Sequence, residues 1–200
     1  MTDTLAAGTD KEAVIAIRPG PDAKLTAELQ AYFDKCLEKL GFVPNVLQAY
    51  AFDTTKLKAF IDMVDDLMLG DSGLSKLERE MIAVAVSAVN HCHYCLTAHG
   101  AAVRFRSRSA RFGDVIAQNW RAAGLDERQT AMLTFAVKLT EQPDKMCEAD
   151  RETLRAVGFS DRDIWDVAAV AGFYNMSNRI AAATEMRPNA EYFEMARETP

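Results

Sequence analysis

The chain has little imidazole or thiol: three histidines and four cysteines in 200 residues. Four cysteines in a domain of this size are too few for a disulfide framework, so any thiol pair points to redox or metal chemistry. Proline (6) and glycine (10) are too sparse for a low-complexity or collagen-like chain. Positive charge is also short: 23 Lys and Arg against 29 Asp and Glu give a net charge of −6, and a pI near 5.1 argues against a nucleic-acid surface. The most apolar stretch, Met81 to Val89, is far below the roughly 17–25 residues of a membrane span, so no membrane insertion is expected. The first ten residues lack the basic start and apolar run of a secretory signal, and cytoplasmic residence is the expectation.

What remains is ordinary globular composition, with 49% hydrophobic and 26% charged residues. Two hundred residues suit one domain, 1–200, with an N-terminal arm at about 1–24 and a core at about 40–185. Strand signals are confined to Val14–Ile17, which Pro19-Gly20-Pro21 ends at once. Elsewhere apolar residues recur at helical spacing: Leu25–Leu40, Leu57–Leu69, Leu77–Val89, Val115–Ala123, Ala131–Leu139, Leu154–Val157 and Ile164–Ala183. An all-α fold follows. Ser75 with Glu78, Asp126 with Gln129 and Ser160 with Asp163 carry capping-box spacing at three helix starts.

The first two starts belong to a longer repeat. Leu74, Met81, Ala85 and Val86 stand at the same offsets as Leu125, Met132, Ala136 and Val137, which implies a duplicated helical unit. Glu80, Cys92, Cys95 and His99 correspond in the second copy to Ala131, Pro143, Met146 and Asp150, so reactive groups occupy the first copy alone.

All three histidines fall within His91-Cys92-His93-Tyr94-Cys95-Leu96-Thr97-Ala98-His99. On a helix Cys92, Cys95 and His99 share one face, with His91 and His93 flanking it. Asn90 is a candidate cap, which would place both cysteines in a first turn where the helix terminus favours a thiolate. The terminus favours Cys92 and the histidine, one turn from Cys95, favours Cys95; we take Cys95 as the attacking thiol and Cys92 as its resolving partner. Glu80, at the edge of an apolar run, reaches His99 only if the chain turns near Asn90-His91, because one straight helix would hold it about 18 Å from Cys92. Cys36 and Cys147, remote from other thiols, are read as inert.

Leu74-Ser75, Glu78-Arg79-Glu80 and the Cys92/Cys95/His99 spacing resemble the core of the alkylhydroperoxidase D (AhpD) family, within the carboxymuconolactone decarboxylase-like superfamily. Gly41-Phe42-Val43-Pro44-Asn45, Leu154 to Gly158 and Asn178-Arg179 resemble its longer peroxidase-related branch. The resemblance implies an all-helical bundle, a homo-oligomer (dimer, trimer or hexamer), and no cofactor or metal. It also implies a dithiol that reduces a hydroperoxide substrate and is reset by a lipoyl-type dithiol reductant protein. Cys95, Cys92, His99 and Glu80 are the catalytic residues it implies. Tyr94 departs from the pattern, since the best characterised members have histidine there.

Two other readings use the same residues. Cys92, Cys95, His99 and Glu80 are acceptable zinc ligands, and the superfamily also contains decarboxylases that do not rely on a cysteine pair. Arg104, Arg106, Arg108 and Arg111 form a basic run that could attract an anionic substrate or partner, and in an acidic chain it reads first as a solvated face. Tyr174, Asn175, Asn178 and Arg179, polar groups on an apolar helix, either satisfy one another, meet another copy or line the thiol pocket. Phe33, Phe52, Phe60, Phe105 and Phe112 suggest apolar surface left over for assembly.

Overall fold

The computed structural model describes residues 13–197 and, among them, ten α-helices and no strand. They are α1 (Ala27–Leu40), α2 (Asn45–Tyr50), α3 (Thr54–Leu69), α4 (Lys76–Val89), α5 (His93–Ser107), α6 (Ala110–Asn119), α7 (Glu127–Glu141), α8 (Glu148–Ala156), α9 (Asp161–Ala183) and α10 (Glu191–Glu194). A single 3₁₀ turn prolongs α6 and another follows α7. The first twelve residues of the expected arm lie outside the described residues. Val14–Ile17 forms no sheet: Ala16 N–H donates to Thr184 O and Val14 O accepts from Arg187 N–H, which lays this bent segment along the chain leaving α9.

Helix α4 is the axis of the bundle. Every residue from Glu78 to Ser87 is buried, and it packs against α3, α5, α6, α7 and α9. A helix enclosed on all sides needs apolar residues all round, which Met81 to Val86 provide. Its start is fixed by the Ser75–Glu78 capping box. Arg79 is buried by spending its guanidinium on the carbonyls of Leu74 and Leu67, while Arg128 of α7 reaches across to Glu78.

The duplicated unit is visible as α4 against α7. Ser75 and Asp126 cap the two helices, and Met81/Met132, Ala85/Ala136 and Val86/Val137 are all buried where the helices meet. The Ser160–Asp163 box starts α9, whereas Asp126 accepts from Gln129 N–H without the reciprocal bond. Two helices escape a reading by period: α2 has six residues and α10 four, each too short to show one. Of the five phenylalanines, Phe60 is buried and Phe33 and Phe112 pack against the core; Phe105 alone stands largely in solvent, at 67% exposure. Exposed apolar surface lies mostly on other residues, Trp165 of α9 and Leu37 and Leu40 of α1 among them. Among the described residues no helix is long and apolar enough to cross a membrane.

Candidate functional site

The α4–α5 junction places the reactive groups. Helix α4 ends with Asn90 as its cap; His91 takes a left-handed conformation (φ 51°), His91 N–H donates to Ala88 O and Cys92 N–H to Ser87 O. This is a Schellman ending with histidine where glycine is usual. The reversal lays α5 back along α4. His91 thus serves the turn, and it and His93 are exposed, His93 against the Phe193 ring.

Asn90 does not cap α5; Cys92 does. Cys95 is therefore in the first turn of α5, but Cys92 sits before the helix. Both thiols are buried, Cys92 at 3% and Cys95 at 1% exposure, and both are free. The Cys95 thiol donates toward Cys92, and Asn178 of α9 meets both sulfurs, with Ser177 beside Cys95. Asn178 is held by its other contacts: its amide donates to Ser87 Oγ at 3.0 Å and its carbonyl accepts from Asn90 Nδ2 at 2.9 Å.

These contacts make the thiols unequal. Donation from the Cys95 thiol, aided by the first-turn N–H of Cys95, His99 and Asn178, outweighs burial and lowers Cys92 from 9.0 to about 6. Cys95, by giving its proton to that bond and being buried, is pushed well above the usual thiol range. The pair is split, with Cys92 held on the low side and Cys95 on the high side of the usual thiol range.

Turning α5 back brings His99 to Glu80 across nineteen residues, with Nδ1 2.7 Å from Oε2. Glu80 is 5% exposed, a burial that a carboxylate tolerates only when paired. Its second oxygen accepts from Arg106 Nε at 3.4 Å. With the carboxylate on Nδ1, the histidine's Nε2 is the nitrogen left to exchange protons. Tyr174, fully buried on α9, sets its ring edge-on to His99 at 4.6 Å between centroids.

A cavity of about 480 Å³ opens onto this group. Cys95, His99, Glu80 and Arg106 line its inner end, and Phe60, Val64, Met68 and Phe173 give it an apolar body. Cys36 also lines it, with a thiol raised by burial. Cys92 faces a separate surface cleft of about 370 Å³ beside His91, His93 and Ala181. Tyr94 lines both spaces, and its hydroxyl accepts from Val46 N–H at 2.9 Å and so caps the first turn of α2. Among the described residues no three His, Cys, Asp or Glu side chains converge to hold a metal ion.

The arginines are not one solvated face. Arg104 is buried, donating to the carbonyls of Tyr192 and Met195 and holding the C-terminal segment on α5. Arg106 belongs to the site, and Arg108 and Arg111 remain exposed. The partnership of Arg106 with Glu80 carries no sequence signal beyond the 26-residue separation of a cation from a buried acid.

Residues 56–118 match the carboxymuconolactone decarboxylase family. An uncharacterized peroxidase-related protein from Silicibacter sp. TM1040 is 55% identical, covering 95% of this chain and 100% of its own, with a TM-score of 0.90. A second such protein, from Ralstonia eutropha JMP134 and described as an alkylhydroperoxidase AhpD core, is 41% identical, covering 94% of this chain and 98% of its own, with a TM-score of 0.88. The debrominase Bmp8 shares the fold at 17% identity, with a TM-score of 0.73 over 94% of this chain and 98% of its own. No protein of curated function matches the chain.

Proposed function

Because the chain belongs to the AhpD-like, peroxidase-related branch of the carboxymuconolactone decarboxylase family, we propose that it is a thiol-dependent hydroperoxide reductase that works through Cys92, Cys95, His99 and Glu80. The observation that carries this reading is that Cys95 and the Glu80-held His99 line one apolar cavity while Cys92 stands behind in thiol contact.

In the proposed cycle Cys95 passes its proton along the existing bond to the Cys92 thiolate, and the Cys95 sulfur attacks the terminal peroxide oxygen. The O–O bond breaks, Cys95 becomes a sulfenic acid, and the leaving alkoxide takes a proton from His99 to depart as an alcohol. Glu80 stabilises the imidazolium that donates it. Cys92 then attacks the sulfenic sulfur, water leaves, and the Cys92–Cys95 disulfide forms. An external dithiol returns two electrons and two protons. The cytoplasm, which keeps thiols reduced, suits this cycle, and a homo-oligomeric assembly is part of the same reading.

Peroxide consumption should be measured with cumene hydroperoxide and dihydrolipoamide for the native protein, Cys92→Ser, Cys95→Ser and His99→Ala. Loss of turnover in both serine variants is expected, and unchanged turnover in either refutes the dithiol cycle. A sulfenic acid should be trapped by dimedone in Cys92→Ser and not in Cys95→Ser; the opposite pattern reverses the order of attack.

A further inference from the structure

Tyr174 sits on the buried face of α9 at 1% exposure. Its ring lies edge-on to His99 and to Phe173, so packing accounts for a phenyl group there but not for the hydroxyl. That hydroxyl ends at the reactive groups. Its oxygen is 3.5 Å from His99 Nδ1, and Tyr174 lines the same cavity as Cys95, His99 and Glu80. Burial first, and then the charges of Glu80 and Cys95, hold the phenol well above its usual range and keep it protonated.

A count of hydrogens leaves this donor uncommitted. An imidazole nitrogen offers either an N–H or a lone pair, and a carboxylate only accepts. Glu80 Oε2, at 2.7 Å, therefore takes the Nδ1 hydrogen, and the same nitrogen has no lone pair left for Tyr174. Among the described residues the phenol hydrogen has no other acceptor. Tyr32, which also lines the cavity, gives its own hydrogen to Asp65 Oδ1 at 2.8 Å. A buried hydroxyl without an acceptor is disfavoured, so the Tyr174 donor is open to an oxygen atom that enters the cavity.

We propose that Tyr174 is a further catalytic residue, whose hydroxyl hydrogen-bonds the inner oxygen of an organic hydroperoxide in this cavity and stabilises the alkoxide which that oxygen becomes. The inference rests on the dithiol peroxidase reading. As the Cys95 thiolate sulfur bonds to the terminal oxygen, the O–O bond breaks and its electron pair stays on the inner oxygen. Sulfur is oxidised to the sulfenic acid and the peroxide is reduced to the alkoxide, which takes its proton from His99. Tyr174 keeps its own proton throughout and acts as a fixed donor aimed where negative charge develops.

The test compares cumene hydroperoxide with peroxybenzoic acid, an oxidant of similar size whose leaving group is a carboxylate and needs no donor to depart. Rapid quench with thiol counting gives the rate constant at which each oxidises the reduced protein. Tyr174→Phe keeps the ring and removes the donor; it should lower the rate constant for cumene hydroperoxide about 10²-fold and that for peroxybenzoic acid less than about threefold. Tyr174→3-fluorotyrosine, a stronger donor of nearly the same shape, should match or exceed the native rate with cumene hydroperoxide. Equal losses with both oxidants in Tyr174→Phe would make the hydroxyl a structural support and overturn the proposal, as would a fluorotyrosine variant as slow as the phenylalanine one. If the thiols of the native protein survive both oxidants, the redox reading falls; if both oxidise it and Tyr174→Phe reacts at native rates, the role of Tyr174 alone falls.

Discussion

Removing the Cys95 thiol should raise Cys92, because the bond from Cys95 is the largest of the effects that bring Cys92 down to about 6. A hydrogen bond to a charged acceptor contributes about 1.5–3 kcal/mol, so Cys95→Ala should move the Cys92 titration up by about one to two pH units. At pH 7 the thiolate fraction should then drop from about 90% to between roughly 10 and 50%. Thiolate absorbance at 240 nm reads this directly, in a Cys147→Ser background so that the exposed thiol does not contribute. All five tyrosines are raised by burial, and Cys36 is raised as well, which moves both away from the Cys92 titration. Stability gives an independent check. A thiol whose folded value lies below its unfolded value adds stability that is complete above the unfolded value and lost as pH falls toward about 6. The native protein should therefore gain on Cys95→Ala between pH 6 and 8.5, with a slope of at most about 1.4 kcal/mol per pH unit. A variant that still titrates near 6, or a stability difference flat across that window, refutes the assignment of the resting charge to a bond from Cys95.

Glu80→Gln keeps the shape of the carboxylate and removes its charge, so kcat/KM toward a hydroperoxide should fall about 10²–10³-fold while the thermal midpoint moves little; native kinetics would remove Glu80 from the proton path. Asn178→Ala takes a donor from both thiols and strips partners from Ser87 and Asn90. It should cost about 1–3 kcal/mol in denaturant unfolding and raise the thiol titration at 240 nm, and an unmoved titration would limit Asn178 to a structural role. Gly113→Ala tests the α5–α6 crossing: its methyl group would lie 2.4 Å from Arg104 Cγ and 3.2 Å from Gly100 O, so a loss of about 1–3 kcal/mol is expected and an unchanged melting curve would show that the crossing is loose.

The helices that position the site were legible because their signals are local. Ser75 with Glu78 and Ser160 with Asp163 mark the starts of α4 and α9, and α3, α4 and α9 are long enough for a period to show. The reactive cluster was legible as a cluster, but its wheel geometry was not. A helical wheel counts Cys92 as one of its residues, whereas the chain uses Cys92 to join two helices, as the end of one Schellman turn and the cap of the next. The inequality of the thiols follows from that position and from Asn178, 86 residues beyond Cys92, which the sequence singles out with Tyr174 and Arg179 without choosing among their roles. Arg106 cannot be told from its neighbours by sequence, because a run of arginines does not show which ones turn inward.

The repeat separates the polar groups that α4 needs for folding from those it does not. At the place of Arg79 the second copy has Thr130, and Arg79 is accounted for by two bonds to Leu74 O at its own helix start and one to Leu67 O of α3. At the place of Glu80 stands Ala131, and α7 packs into the same core without a carboxylate there. Replacing a buried ion pair by apolar groups is often neutral or stabilising, so core packing alone supplies no reason for Glu80. Its burial is made tolerable by His99 and Arg106, both of which line the cavity that reaches Cys95. A buried acid that core packing does not require, and whose partners converge on a thiol, supports the proposal that Glu80 acts on the histidine's proton.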